Sequence, residues 1–170
     1  MTKSQILSAF AELNTELKNQ NIRGDISIMG GAVMCLVFHS RESTQDIDAI
    51  MAPADVLQKA AFNVSQTLNL DNHFWLNDAV KVFNSDVAQF EKSELSLSNL
   101  NILTASPEYM FAMKSLSARS GTNDESDLIF LKKYLNLNKM SQALIIINKF
   151  YPEQKLSIDS RLMLKDIFGE

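Results

Sequence analysis

Two aspartates carry the most pointed chemistry in this chain. Asp46 and Asp48 stand one residue apart in Gln45-Asp-Ile-Asp-Ala-Ile-Met51. The run alternates, with Asp46, Asp48 and Ile50 on one side and Ile47, Ala49 and Met51 on the other, as a half-buried strand does. On such a strand both carboxylates share a face, with Cα atoms roughly 7 Å apart. Leaning together, they can share one hard divalent cation, and Mg²⁺ favours one or two carboxylates alongside phosphate oxygens. A solvated strand face is the plainer reading. Aspartate is depleted in strands, however, so two in alternation inside an apolar run ask for a further reason.

A second feature lies upstream. Asp25 to Met29 alternates as a strand, and Gly30-Gly31 follows. Glycine adopts positive φ without steric cost, so the pair marks a sharp turn. Ala32 to Phe38 is apolar and long enough for about two helical turns. A helix start offers free N–H groups to a phosphate. A glycine pair alone also fits an ordinary tight turn. Arg41 to Gln45, with Thr44, is a polar link into the second strand.

Strand, glycine turn, short helix, strand: at these residues the chain resembles the DNA polymerase beta-like nucleotidyltransferase superfamily. The match is Gly30-Gly31, then Arg41-x-x-Thr44-x-Asp46-Ile47-Asp48. Later segments are similar to a bacterial family of nucleotidyltransferase-like domains of unknown function. They are Trp75-Leu-Asn77-Asp78-Ala-Val-Lys81, Ala105-Ser-Pro-Glu-Tyr-Met-Phe-Ala-Met-Lys114, Ala118-Arg119, Asp124-x-x-Asp127-Leu128 and Tyr151-Pro152 before a closing helix. The lysine helix and acidic helix start also resemble those of the AbiEii-like abortive-infection toxins. The resemblance runs from about Ile28 to Phe168. It implies that Asp46 and Asp48 hold Mg²⁺ and act in catalysis together with Lys114. It implies that Gly30, Gly31, Arg41, Thr44, Asn77, Asp78, Asp124 and Asp127 contact a nucleoside triphosphate. The acceptor would be a protein, an RNA end or a small molecule, and a cognate antitoxin or toxin is an implied partner.

The residues themselves leave alternatives open. Trp75 fits a core position, with Asn77 or Asp78 capping a short helix. Lys114 lies among Met110, Phe111, Met113 and Leu116, where a lysine ordinarily snorkels to water. A phosphate is the other destination for its ammonium. Thr122-x-x-Glu125 or Asp124-x-x-Asp127 fits a helix cap. One departure stands out. Sites of this superfamily usually draw a third carboxylate from a later strand, yet Glu94 to Thr104 holds no aspartate and only Glu91 and Glu94 lie near it. Two readings follow: a nucleotidyl-transferring enzyme, or a non-catalytic nucleotide-binding or toxin–antitoxin protein with a degenerate site.

The elements that must position these residues are legible from periodicity. Ser4 to Asn19 is a helix with Ile6, Leu7, Phe10, Leu13 and Leu17 inward. Pro53 opens a helix over Ala54 to Leu68. Phe83 to Phe90 shows no pattern, and Glu94 to Thr104 reads as one bent strand or two short ones. Ser106-Pro107 starts a helix through Arg119. Ser120 to Asn123 is a loop, and a helix opens at Asp124 with Leu128, Ile129, Leu131, Tyr134 and Leu135 inward. Two more helices follow: Ser141 to Phe150, stopped by Pro152, and a last one through Leu162, Leu164, Ile167 and Phe168. The expected fold is α/β, a nucleotidyltransferase fold with a small mixed sheet backed by helices. The expectation is one domain over 1–170, with a sheet-containing core over 1–104 and a helical part over 105–170.

Composition sets the outer bounds. The 170 residues are 46% hydrophobic and 21% charged, as in ordinary globular domains. A net charge of −4 gives no global basic footprint for nucleic acid. Cys35 is the one cysteine, which excludes an intramolecular disulfide and a cysteine-based zinc site. No signal-like or membrane-length apolar run is present, so a cytoplasmic protein with no membrane contact is expected.

Overall fold

The computed structural model describes residues 1–78, 88–95, 97–119 and 121–170. Ala79, Val80 and Lys81 of the tryptophan motif lie outside them, as do Val82, residues 83–87 of the unpatterned stretch, Ser96 and Ser120. The chain forms two compact units: Met1–Ser85 with Phe90–Ala105, and Asp86–Gln89 with Ser106–Glu170.

The first unit is built on a mixed sheet. Its elements are α1 (Lys3–Asn19), β1 (Gly24–Met29), α2 (Gly31–Leu36), β2 (Ile47–Ala52), α3 (Ala54–Thr67), β3 (Leu76–Asp78), β4 (Phe90–Lys92) and β5 (Leu100–Ala105). The strand order is β3-β2-β1-β5-β4. β1 runs antiparallel to β2 and parallel to β5, and β3 runs parallel to β2. One face carries Ile26, Ile28, Ile47, Ala49, Leu100 and Ile102, all buried. α1 and α3 cover that face. A side chain at Gly24 would strike Leu17 of α1 and Leu57 of α3, so glycine lets the two helices close over the strand. Trp75 is buried beneath them, donating its indole N–H to the carbonyl of Ala61 at 2.9 Å and tilting against Phe10.

Three expectations meet the structure here. Leu76 to Asp78 is a strand, and the residues that Asn77 or Asp78 would cap lie outside the described ones. The Glu94 to Thr104 segment contributes one strand, β5, with β4 formed earlier, at Phe90–Lys92. Pro53 stands immediately before α3 and opens it, as expected. Helix 1 starts slightly earlier than its apolar pattern, because Thr2 and Gln5 form a reciprocal capping box.

The second unit is helical: α4 (Pro107–Ser117), α5 (Asp124–Tyr134), α6 (Met140–Phe150) and α7 (Ile158–Phe168). α4 packs against the other three. It is apolar around most of its circumference, as a central helix must be, and Tyr109 to Ser115 are all buried. Ser106 caps it by accepting from the Tyr109 amide, with Pro107 at the first position. Two residues expected inward are exposed: Ile129 and Tyr134. No helix among the described residues is long and apolar enough to cross a membrane.

Candidate active site

The glycine turn organises the sheet unit's polar side chains. Gly30 has φ 67° and ψ −143°, a region essentially reserved for glycine. A side chain there would also come within 3.0 Å of Asp48 Oδ2. Gly31 is different. It is the first residue of α2, and its constraint is space. A Cβ would lie 2.4 Å from Thr44 Oγ1 and 2.9 Å from Arg41 Nη1. The turn is therefore roofed by Thr44 and Arg41 at one glycine and by Asp48 at the other. The register explains Asp48's place, since it pairs with Met29, the last residue of β1 before the turn.

Asp46 lies just before β2, not within it. The alternation still holds through it: Asp46, Asp48 and Ile50 are half-buried, while Ile47, Ala49 and Met51 are buried. Thr44 donates its hydroxyl to the Asp46 carbonyl at 3.1 Å, and the Ile47 amide donates to the Trp75 carbonyl at 2.7 Å. These bonds hold the short approach to the strand. The Asp46 carboxylate accepts a hydrogen bond from Asn77 Nδ2 at 2.7 Å. Asn77 is opposite Asp48 on β3, on the same sheet face. Asp78 is opposite Ala49, one residue out of phase with that face.

The register also relocates the question of a third acid. The neighbour of β2 on its outer side is β3, where Asn77 occupies the row of Asp48. β5 lies two strands from β2, and Glu91 on β4 lies three strands away, about 14 Å at ordinary strand spacing. Glu91 and Glu94 instead line a separate cavity of about 490 Å³ with Leu7, Ile28, Leu36 and Thr104. Among the described residues no three His, Cys, Asp or Glu side chains cluster as a metal-binding group.

The helical unit has its own charged centre. Lys114 is only 5% exposed and does not snorkel. Its Nζ lies 2.7 Å from Asp127 Oδ2 and 3.2 Å from Asp124 Oδ1. Asp127 is 2% exposed, and the other Asp124 oxygen meets the Thr122 hydroxyl at 2.8 Å. The two acids at the start of α5 thus bind the lysine, and neither serves as the N-cap, which is Asn123. Nearby in sequence but distinct in role, Tyr109 and Tyr151 stack and share a hydroxyl–hydroxyl bond of 3.3 Å. Burial raises the pKa of both phenols above the usual value near 10.

The predicted residues therefore form two groups. Gly30, Gly31, Arg41, Thr44, Asp46, Asp48 and Asn77 come together in the sheet unit, and Lys114, Asp124 and Asp127 in the helical unit. Sequence reasoning missed the Asn77–Asp46 bond. Its one signal was an amide directly after the apolar run that holds the only tryptophan.

The family model described as "Nucleotidyltransferase of unknown function (DUF6036)" matches residues 4–159. That span takes in nearly the whole chain, and the chain belongs to this family. The description carries no link to abortive-infection toxins. No curated protein and no solved structure matches the chain.

Proposed function

We propose that the chain is a Mg²⁺-dependent enzyme transferring a nucleotidyl group from a nucleoside triphosphate to an acceptor hydroxyl. One observation carries the reading: Asp48 stands directly beside the Gly30–Gly31 turn, and Asp46 precedes it on the same alternating run. The donor set suits the cation, since carboxylate oxygens are the hard ligands Mg²⁺ takes. Bound there, Mg²⁺ would neutralise charge on the phosphates as the leaving group departs. The chain's own residues do the rest. The turn lets Thr44 and Arg41 pack against its backbone, and the Arg41 guanidinium beside Gly31 offers a forked donor to phosphate oxygens. Thr44 fixes the Asp46 backbone. Lys114, Asp124, Asp127 and Asp78 enter this reading through the family likeness alone.

The experiment is incubation with each labelled nucleoside triphosphate, Mg²⁺ and a cell extract. Covalent label on a protein, an RNA or a small molecule is expected, and it should vanish in Asp46→Asn and Asp48→Asn. Calorimetry of the same variants with nucleotide and Mg²⁺ should show weakened binding with the fold intact. Equal binding by the double variant and the parent would remove the acid pair from the site.

A second reading rests on Asn77. A neutral amide stands in the row beside Asp48, and among the described residues no third carboxylate joins the pair in a metal-binding group. A protein that binds nucleotide, alone or in a toxin–antitoxin complex, without turnover fits that arrangement. Nucleotide binding that depends on Asp46 and Asp48, with no label transferred to any acceptor, would favour it.

A further inference from the structure

We infer that Asn77 is a positioning residue for the Asp46 carboxylate and not a contact to the nucleotide. The inference rests on the acid-pair reading above and deepens it. Three observations converge. Asn77 Nδ2 lies 2.7 Å from Asp46 Oδ2, a short bond for an amide donor to a carboxylate. The carboxylate also settles which way the amide points, because an ionised aspartate only accepts and the NH₂ end must face it. The backbone places the amide there independently: β3 runs parallel to β2, and Asn77 sits opposite Asp48 on the same face. Asp46 needs such a partner. It lies outside the strand, so the sheet ladder does not fix it as it fixes Asp48.

The bond has a direct consequence. A carboxylate with one oxygen tied to a neutral donor keeps its full charge and presents the other oxygen in a defined direction. A lysine or arginine in Asn77's place would offset that charge, and an aspartate would repel it. An amide orients without doing either. Hydrogen-bond partners that orient metal-binding carboxylates are typically worth 10–100-fold in metal affinity. A nucleotide contact would instead leave the affinity for the bare cation untouched.

The test uses the full chain and Mn²⁺ alone, followed by the loss of the free ion's electron paramagnetic resonance signal. The variants are Asn77→Ala, Asn77→Ser, Asp48→Asn and the parent. Trp75 fluorescence and circular dichroism check that each is folded. The expected result is uptake by the parent, loss in Asp48→Asn, a drop of at least about 10-fold in Asn77→Ala and partial recovery in Asn77→Ser, whose hydroxyl can donate. If the parent and Asp48→Asn bind and Asn77→Ala matches them, or if the parent takes up no Mn²⁺, the acid-pair reading fails and the Asn77 assignment falls with it. If Asp48→Asn loses Mn²⁺ while Asn77→Ala binds as the parent does, the assignment alone is overturned. Loss of nucleotide binding at unchanged Mn²⁺ affinity in Asn77→Ala would return Asn77 to the nucleotide.

Discussion

In the sheet unit the Asp46 carboxylate meets a neutral amide, and in the helical unit Asp124 and Asp127 meet a buried ammonium. Both units hold a pair of aspartates close in sequence, so the contrast lies in what surrounds them. Asp46 and Asp48 are half-buried at the rim of a sheet face. Asp127 and Lys114 are almost wholly removed from water. Desolvated charges persist only when each finds its opposite, so the helical triad is a matched set whose members depend on one another. The Asp46–Asn77 bond makes no such match. It orients a charge and leaves it unneutralised by its partner.

The largest expected effect breaks the matched set. Lys114→Met keeps the stem's packing but leaves two acids without their cation, one of them deeply buried. Removing one partner of a buried pair typically costs 3–5 kcal/mol, so a loss of about 3 kcal/mol is expected in denaturant unfolding. A lysine snorkelling to water would have made the same change nearly neutral. The triple variant Lys114→Met, Asp124→Asn, Asp127→Asn should recover most of the loss, because it removes the stranded charges as well. If Lys114→Met melts like the parent, the pair is not the matched set its geometry describes.

A smaller effect is expected at the glycine turn in the sheet unit. Gly30→Ala asks a non-glycine residue to hold φ 67° and ψ −143° and sets its Cβ 3.0 Å from Asp48 Oδ2. Strain of this kind costs about 1–3 kcal/mol. Gly31→Val should also destabilise, though by pushing Thr44 and Arg41 away and not by backbone strain. A thermal melt of Gly30→Ala that overlays the parent's would show that the turn adapts and that its geometry is not fixed by glycine.

Much of this contrast could be read from residue order. The alternation in Gln45 to Met51 gives the acid pair's face, and Ser106-Pro107 gives the start of α4, because strand and helix periods and cap chemistry are local. The glycine pair was legible as a turn, but which glycine needs positive φ and which needs room depends on Thr44, Arg41 and Asp48 arriving from the next strand. Lys114 shows the same limit. Its apolar neighbours correctly mark a buried face, yet its partners come from another helix, and no period in α4 announces them. The place of Asn77 was hidden for a further reason. Strand order is set by long-range pairing, so nothing in the run itself says that β3 lies against β2 while β5 lies two strands away.

The smallest expected effect sharpens the comparison by giving each unit its own reporter. Trp75 is the only tryptophan and lies in the sheet unit, while the chain's three tyrosines, Tyr109, Tyr134 and Tyr151, all lie in the helical unit. Burial raises the folded-state pKa of Tyr109 and of Tyr151, so the fold favours their protonated phenols. The stability this contributes is fully present below the unfolded value near 10 and is lost as pH rises above it, because only the unfolded chain then releases the protons. Each such phenol adds a slope of at most about 1.4 kcal/mol per pH unit, confined to pH above 10. At neutral pH, Tyr151→Phe should cost only the 3.3 Å hydroxyl contact, about 1 kcal/mol. Denaturant unfolding followed by tyrosine signals between pH 9 and pH 11 should therefore show the helical unit weakening above about pH 10. The slope should shrink in the Tyr109→Phe, Tyr151→Phe variant. An unchanged alkaline slope in that variant would assign the loss to other groups and leave the stacked pair as packing alone.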